Sequence, residues 1–267
     1  MPIEWINQKI ESTKEKKETQ LKLTTNTALE KNISSTPEID KFLNKLYTNE
    51  TSEEMKNDLI KEINKYPLIC EILNKNLTEN QKKEKLQKAL KKQEEASENM
   101  DTERLNIIAQ TMGEQILKTI KTNQKFLDFL NSLNSRNPNE PLPKEEKEEI
   151  EGIFQTIIQN FSEAFGVKPP KLYVDWLNIP WLGTSTFIKI DWEMALWQLM
   201  HEYTHYLQTQ WKTSNPKYLE QSRRYYILPM FNGELWELTN NIYNISLMEQ
   251  EAEYTRKKAQ KYIKTHR

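Results

Sequence analysis

Hydrophobic positions recur every three or four residues along most of this chain, the spacing that lays one apolar stripe down a helix. Ser35, Thr36, Pro37 and Glu38 supply a cap, a first-turn proline and an acid, and Ile39, Phe42, Leu43, Leu46 and Tyr47 form the first stripe. Met55, Leu59, Ile60 and Ile63 predict a second helix that ends near Pro67, and residues 68–73 begin a third. Residues 79–103 are dominated by Lys, Glu and Gln, which predicts a solvated helix or helical hairpin serving as a spacer. The stripe returns with Leu105, Ile108, Met112, Ile116 and Ile120, and continues through Phe126, Leu127, Phe129, Leu130 and Leu133.

Three prolines and several asparagines in residues 134–143 then break the pattern and mark a domain boundary. Beyond it, Pro143, Glu145, Glu146 and Glu148 start a helix whose stripe of Ile150, Ile153, Phe154, Ile157, Ile158, Phe161 and Phe165 ends at Gly166. The period changes in residues 171–175 and 186–191, two short β-branched and aromatic runs that predict strands. Helical spacing resumes at Leu196, Leu199, Met200, Tyr203, Leu207 and Trp211, with Asp191 available as the cap of that helix. Residues 213–217 form a polar loop, and 218–230 are irregular or partly helical. Helices are expected over 233–246 and 248–263, the last with Ala252, Thr255, Ala259, Tyr262 and Ile263 toward the core. The pattern predicts a mainly α fold with a small β-sheet (α+β). Its parts are a polar arm at 1–35, a helical module at 36–134 and a C-terminal domain at 143–267.

Composition narrows this picture. A hydrophobic content of 36% in 267 residues can supply a core, and only five glycines favour long helices over a turn-rich β fold. A net charge of −1 with interspersed signs offers no footprint for nucleic acid and no polybasic membrane patch. Residues 1–17 hold no apolar leader core and no window of about 18 apolar residues occurs, so a soluble, cytoplasmic protein is expected. The single cysteine, Cys70, has no internal disulfide partner and is expected to be a core thiol. Six of the seven tryptophans (Trp176, Trp181, Trp192, Trp197, Trp211 and Trp236) lie in the C-terminal half, which predicts the large buried aromatic core there.

Histidine is scarce, yet two of the three lie in His201-Glu202-Tyr203-Thr204-His205. Residues four apart share one helix face, so both imidazoles can reach a single tetrahedral Zn2+ ion with Glu202 beside its open position. The same face lies opposite the apolar stripe, so one side of the helix is expected to pack on a core and the other to look into a cleft. Two satisfied structural histidines are the alternative. His266, near the last residue, is expected to be a frayed tail residue.

A helix, two short strands, an HExxH helix and a later helix with a glutamate is the order of the minimal zincin domain, and residues 143–267 resemble the gluzincin metallopeptidases. The resemblance implies zinc held by the motif histidines and a downstream glutamate, with the motif glutamate as general base. Glu249-Gln250-Glu251-Ala252-Glu253 looks like the E-x-x-A-[DN] pattern of small gluzincins. Matched so, Glu249 is the third ligand, Ala252 the close-packing residue and Glu253 a replacement for Asp or Asn; Glu251 is the runner-up ligand. A metzincin would need a third histidine close behind the motif, where this chain has Tyr206 to Trp211 instead. Tyr218, Tyr225, Tyr226 and Tyr243 are candidate donors to an oxyanion. The strand at 186–190 is the expected sheet edge for an extended peptide, as in zincins. The expectation is a zinc-dependent peptidase acting on protein or peptide substrates, with Glu202 as catalytic base and an N-terminal helical module that sets access or partner choice. The alternative is a helical interaction or regulatory protein on a zincin scaffold with structural or vestigial metal. Glu202 separates the two, because a structural site requires no general base.

Overall fold

The computed structural model describes residues 57, 60–61, 63–74, 77–132, 143–175, 182–183, 187–191, 195–227 and 235–266. The arm at 1–35, the stripe from Ile39 to Tyr47 and nearly all of the proline-rich segment lie outside them. In chain order the elements are α1 (Pro67–Asn74), α2 (Glu79–Ser97), α3 (Thr102–Thr122), α4 (Gln124–Ser132) and α5 (Lys144–Phe165). Strands β1 (Lys171–Asp175), β2 (Leu182–Gly183) and β3 (Phe187–Asp191) follow, then α6 (Ala195–Thr209), α7 (Pro216–Tyr225), α8 (Trp236–Ile245) and α9 (Leu247–His266). The fold is mainly α, and no helix among the described residues is long and apolar enough to cross a membrane.

Local chemistry explains the helix ends. Thr78 caps α2 through a capping box: its hydroxyl accepts from the Gln81 N–H at 3.3 Å, and the Gln81 side chain accepts from the Thr78 N–H at 2.9 Å. Gly166 closes α5 in the left-handed region at φ 62°, with the Val167 N–H on the Ser162 carbonyl at 2.9 Å. The same closure ends α6, with the Lys212 N–H on the Leu207 carbonyl at 2.9 Å and the Trp211 N–H on the Gln208 carbonyl at 3.0 Å. There the left-handed residue is Trp211, at φ 56°. Trp211 therefore stands past the end of the helix and does not extend its stripe.

The sheet has the order β1-β3-β2, with β1 parallel to β3 and the two-residue β2 antiparallel to it. This corrects two expectations. The strand at 187–191 is central among the described residues, because Leu182 and Gly183 pair with Lys189 and Ile188 on the side away from β1. Asp191 is opposite Asp175 in the β1–β3 ladder, so it belongs to the strand and does not sit directly before α6.

One cluster of buried residues joins Leu105, Met112 and Ile116 of α3 and Phe126 and Phe129 of α4 to Phe154 and Phe161 of α5. The same cluster takes in Leu199, Tyr203 and Leu207 of α6 and Ala259 and Ile263 of α9. Packing therefore runs across the compositional break at 134–143. At Gly113 a Cβ would lie 2.7 Å from the Tyr262 ring, which is how closely α3 and α9 approach. The aromatic core is built of Phe and Tyr, with Phe161 edge-on to Tyr203 at 5.0 Å and Phe126 edge-on to Phe154 at 5.7 Å. The tryptophan expectation is not met where it can be checked: Trp197 and Trp211 are half-buried and Trp236 is 47% exposed, while Trp176, Trp181 and Trp192 lie outside the described residues. Cys70 is half-buried, its thiol donating to the Ile63 carbonyl at 3.4 Å.

Helix α2 is more than a spacer. It buries Leu86, Ala89, Gln93 and Ala96, and the Gln93 amide exchanges two hydrogen bonds with Ser222 of α7, at 2.8 Å to the carbonyl and 2.7 Å from the hydroxyl.

A chain beginning at residue 143 loses the α3 and α4 side of the cluster. It is expected to be insoluble or to melt without cooperativity, since burial of each lost Leu, Ile, Met or Phe side chain contributes about 1.5–3 kcal/mol. Expression of that fragment, followed by thermal denaturation, is the measurement. A sharp, reversible melt would show instead that 143–267 folds by itself.

Candidate metal centre

Helix α6 is buried on both faces. Leu196, Leu199, Met200, Tyr203 and Leu207 enter the cluster, while His201, Glu202, Thr204, His205 and Gln208 are buried on the other side. The expected open cleft over the histidines is therefore closed. Helix α9 and Tyr226 cover that face, because its polar groups find their partners there.

Helix α9 brings Glu249 in with its first turn. Ser246 separates α8 from α9, and its hydroxyl accepts from the Glu249 N–H at 3.2 Å, which fixes where that turn begins. The Glu249 carboxylate then reaches both imidazoles, with Oε1 3.1 Å from His205 Nε2 and Oε2 3.3 Å from His201 Nε2. The two Nε2 atoms are themselves 3.1 Å apart, and Glu202 Oε1 lies 4.0 Å from His201 Nε2. His201, Glu202, His205 and Glu249 are 6, 1, 5 and 6% exposed. The His201, Glu202 and His205 cluster can hold a metal ion.

The other sequence candidates divide. Glu251 turns away from the imidazoles and accepts from Gln208 Nε2 at 3.0 Å. Glu253 Oε2 lies 3.9 Å from His201 Nδ1, and the carboxylate is clamped by Arg256 at 2.6 and 2.7 Å and by Lys257 at 3.2 Å. The longer side chain thus brings a carboxylate near the first histidine where the resembled pattern has Asp or Asn. Tyr226 donates to Glu249 Oε1 at 2.7 Å, and Tyr243 lies beside Tyr226 with ring centroids 5.7 Å apart and the planes tilted by 51°. Tyr218 instead packs against the Ala96, Leu219 and Leu247 cluster, and Tyr225 ends α7. His266 is helical, stacked on Tyr262 at 4.1 Å, and plays no part in the centre.

Two contributors escaped sequence reasoning. Gln208 contacts His205 Nδ1 at 2.8 Å through Oε1; its position three residues past His205, on the same helix face, was the available signal. Tyr66, just before α1, backs Tyr226 at 5.2 Å, and no local pattern could have announced a contact over so long a stretch of chain.

Charge balance in the centre is internal. Burial alone would lower the His205 pKa, but the adjacent Glu249 carboxylate outweighs it and pushes His205 up to about 9. Burial raises Glu249, and the nearby His205 and His201 imidazoles overcome that and hold it below the usual carboxylate range. Burial, reinforced by the Glu249 charge, keeps both Tyr226 and Tyr243 protonated far above the ordinary phenol range, so both remain donors.

Comparison with family models, curated proteins and solved structures finds no match for this chain.

With metal chelated, the pair of shifts sets a pH window for stability. His205 is raised, so its contribution is complete below its ordinary 6.5 and is lost as pH rises through about 9. Glu249 is lowered, so its contribution is complete above its ordinary 4.5 and is lost as pH falls through its depressed value. The Tm in chelator should be highest between those two ordinary values, and the alkaline decline should be much weaker in Glu249→Gln. Identical alkaline declines in the two proteins would exclude the pair as their source.

Proposed function

We propose that this chain is a zinc-dependent hydrolase of peptide bonds, with His201, His205 and Glu249 as zinc ligands and Glu202 as general base. The observation that carries this reading is the meeting of two imidazole nitrogens and one carboxylate at mutual distances of 3.1–3.3 Å. Donors about 2.0–2.1 Å from zinc at tetrahedral corners stand about 3.3 Å apart, so the donor set fits that ion. Its nitrogen content disfavours calcium and magnesium, which take oxygen ligands. The element order α5, β1, β3, α6, α9 supports the likeness to gluzincins.

Zinc, when bound, supplies Lewis acidity and makes hydroxide available from water near pH 7. The residues do the rest. Glu202, beside the ligand set on α6, takes the proton of the attacking water and passes it to the leaving amine. Tyr226 fixes the Glu249 carboxylate by its 2.7 Å hydrogen bond. Tyr243, whose ring lies 5.7 Å from that of Tyr226, is the phenol we assign as donor to an oxyanion.

The burial of all four groups favours a second reading, a structural metal in a helical interaction protein. Glu202 decides between them. The purified chain is expected to carry about one zinc per molecule by elemental analysis, and Glu249→Ala and His205→Ala should lose most of it. Glu202→Gln is expected to keep zinc and Tm while losing about 100- to 10,000-fold in cleavage of a peptide mixture, followed by mass spectrometry. A zinc-loaded chain that cleaves nothing, with Glu202→Gln indistinguishable from it, would favour the structural metal; a chain without metal would sink both readings.

A further inference from the structure

We infer that Gln208 is a positioning residue: bracketed by Glu251 and the Met248 carbonyl, it fixes His205 as the tautomer protonated at Nδ1 and aims Nε2 at the metal. This rests on the metal reading above and adds a residue that neither the motif nor the ligand set includes. Gln208 is 2% exposed and Glu251 is fully buried, so each polar atom of the amide needs a partner inside the protein.

The amide can point only one way. Its Nε2 lies 2.7 Å from the Met248 carbonyl and 3.0 Å from Glu251 Oε2, two acceptors that use both of its N–H groups. Turning the amide over would face its oxygen to those two oxygens. Oε1 is therefore the atom 2.8 Å from His205 Nδ1, and an amide oxygen only accepts, so Nδ1 carries the proton. In the neutral imidazole that would take a metal, Nε2 is then the nitrogen with the lone pair, on the side where Glu249 and His201 converge.

The bracket also spans two helices. Gln208 is on α6 with both histidines, and its partners Met248 and Glu251 flank Glu249 on α9. One amide thus sets the imidazole tautomer and the spacing between the helices that supply the three ligand atoms. Such outer contacts are typically worth about 10- to 100-fold in metal affinity.

The test uses the full chain and zinc itself, titrated against a chromophoric chelator at one pH. Gln208→Met keeps length and bulk but offers no hydrogen bond, and it should weaken zinc by about 10- to 100-fold. The double exchange Gln208→Glu with Glu251→Gln returns an acceptor to Nδ1 and a donor from position 251, but sets a carboxylate oxygen against the Met248 carbonyl, so it should recover only part of that loss. Two-dimensional 15N spectra of the zinc-loaded wild type give a readout that needs no variant to fold: His205 should carry its proton on Nδ1 and bind through Nε2. Coordination through Nδ1, or folded Gln208→Met binding zinc as tightly as the wild type, would overturn the positioning role alone. A wild-type chain that binds neither zinc nor cobalt would remove the metal reading, and this inference with it.

Discussion

Two imidazole nitrogens and a carboxylate held within 3.3 Å of one another, out of water, require a shared positive charge between them. A proton on His205 meets that need and so does a divalent cation. The surroundings hold the members of the set in register around that charge: Tyr226 binds Glu249, Gln208 binds His205, and Glu253 stands near His201. Each of these contacts ties a group on α6 or α9 to a position outside the HExxH motif.

The same requirement explains why α6 has no solvent face. A helix that buries histidines on one side and leucines on the other needs neighbours all round, and the chain supplies them from distant segments. Helices α3, α4 and α5 pack on the apolar side, and α9 closes the polar side while resting on α3 at Gly113. The N-terminal helices belong to this scaffold. Tyr66 backs the tyrosine that binds Glu249, and the Gln93–Ser222 pair fastens α2 to α7.

Periodicity carried the sequence reading a long way. The stripes of residues 105–120, 150–165 and 196–207 each correspond to a buried helix face, and the spacing of His201 and His205 put both on one side of α6. Glu249 was legible only through a resemblance, and the structure brings it, rather than Glu251, against both imidazoles. What escaped was long-range. Residue types along a strand do not reveal that a two-residue partner lies beside it, so β3 read as an edge. A break in composition at 134–143 does not disclose that helices on either side bury one another. Four tyrosines looked equivalent in sequence, and only tertiary contacts separate Tyr226, on Glu249, and Tyr243, beside Tyr226, from Tyr218, which packs on another cluster.

Burial of the centre also has a kinetic side. With its four polar groups at most 6% exposed, the centre is largely screened from bulk solvent. Exchange of an ion held there would depend on local opening of the helices around it, and such openings are governed by the stability of the segment that moves. The release rate would then reach a plateau as a competing chelator is added, because the opening of the fold, and not the encounter with the chelator, would be the slow step. The helix pair α6 and α9 would act as a timer on the metal as much as a cradle for it.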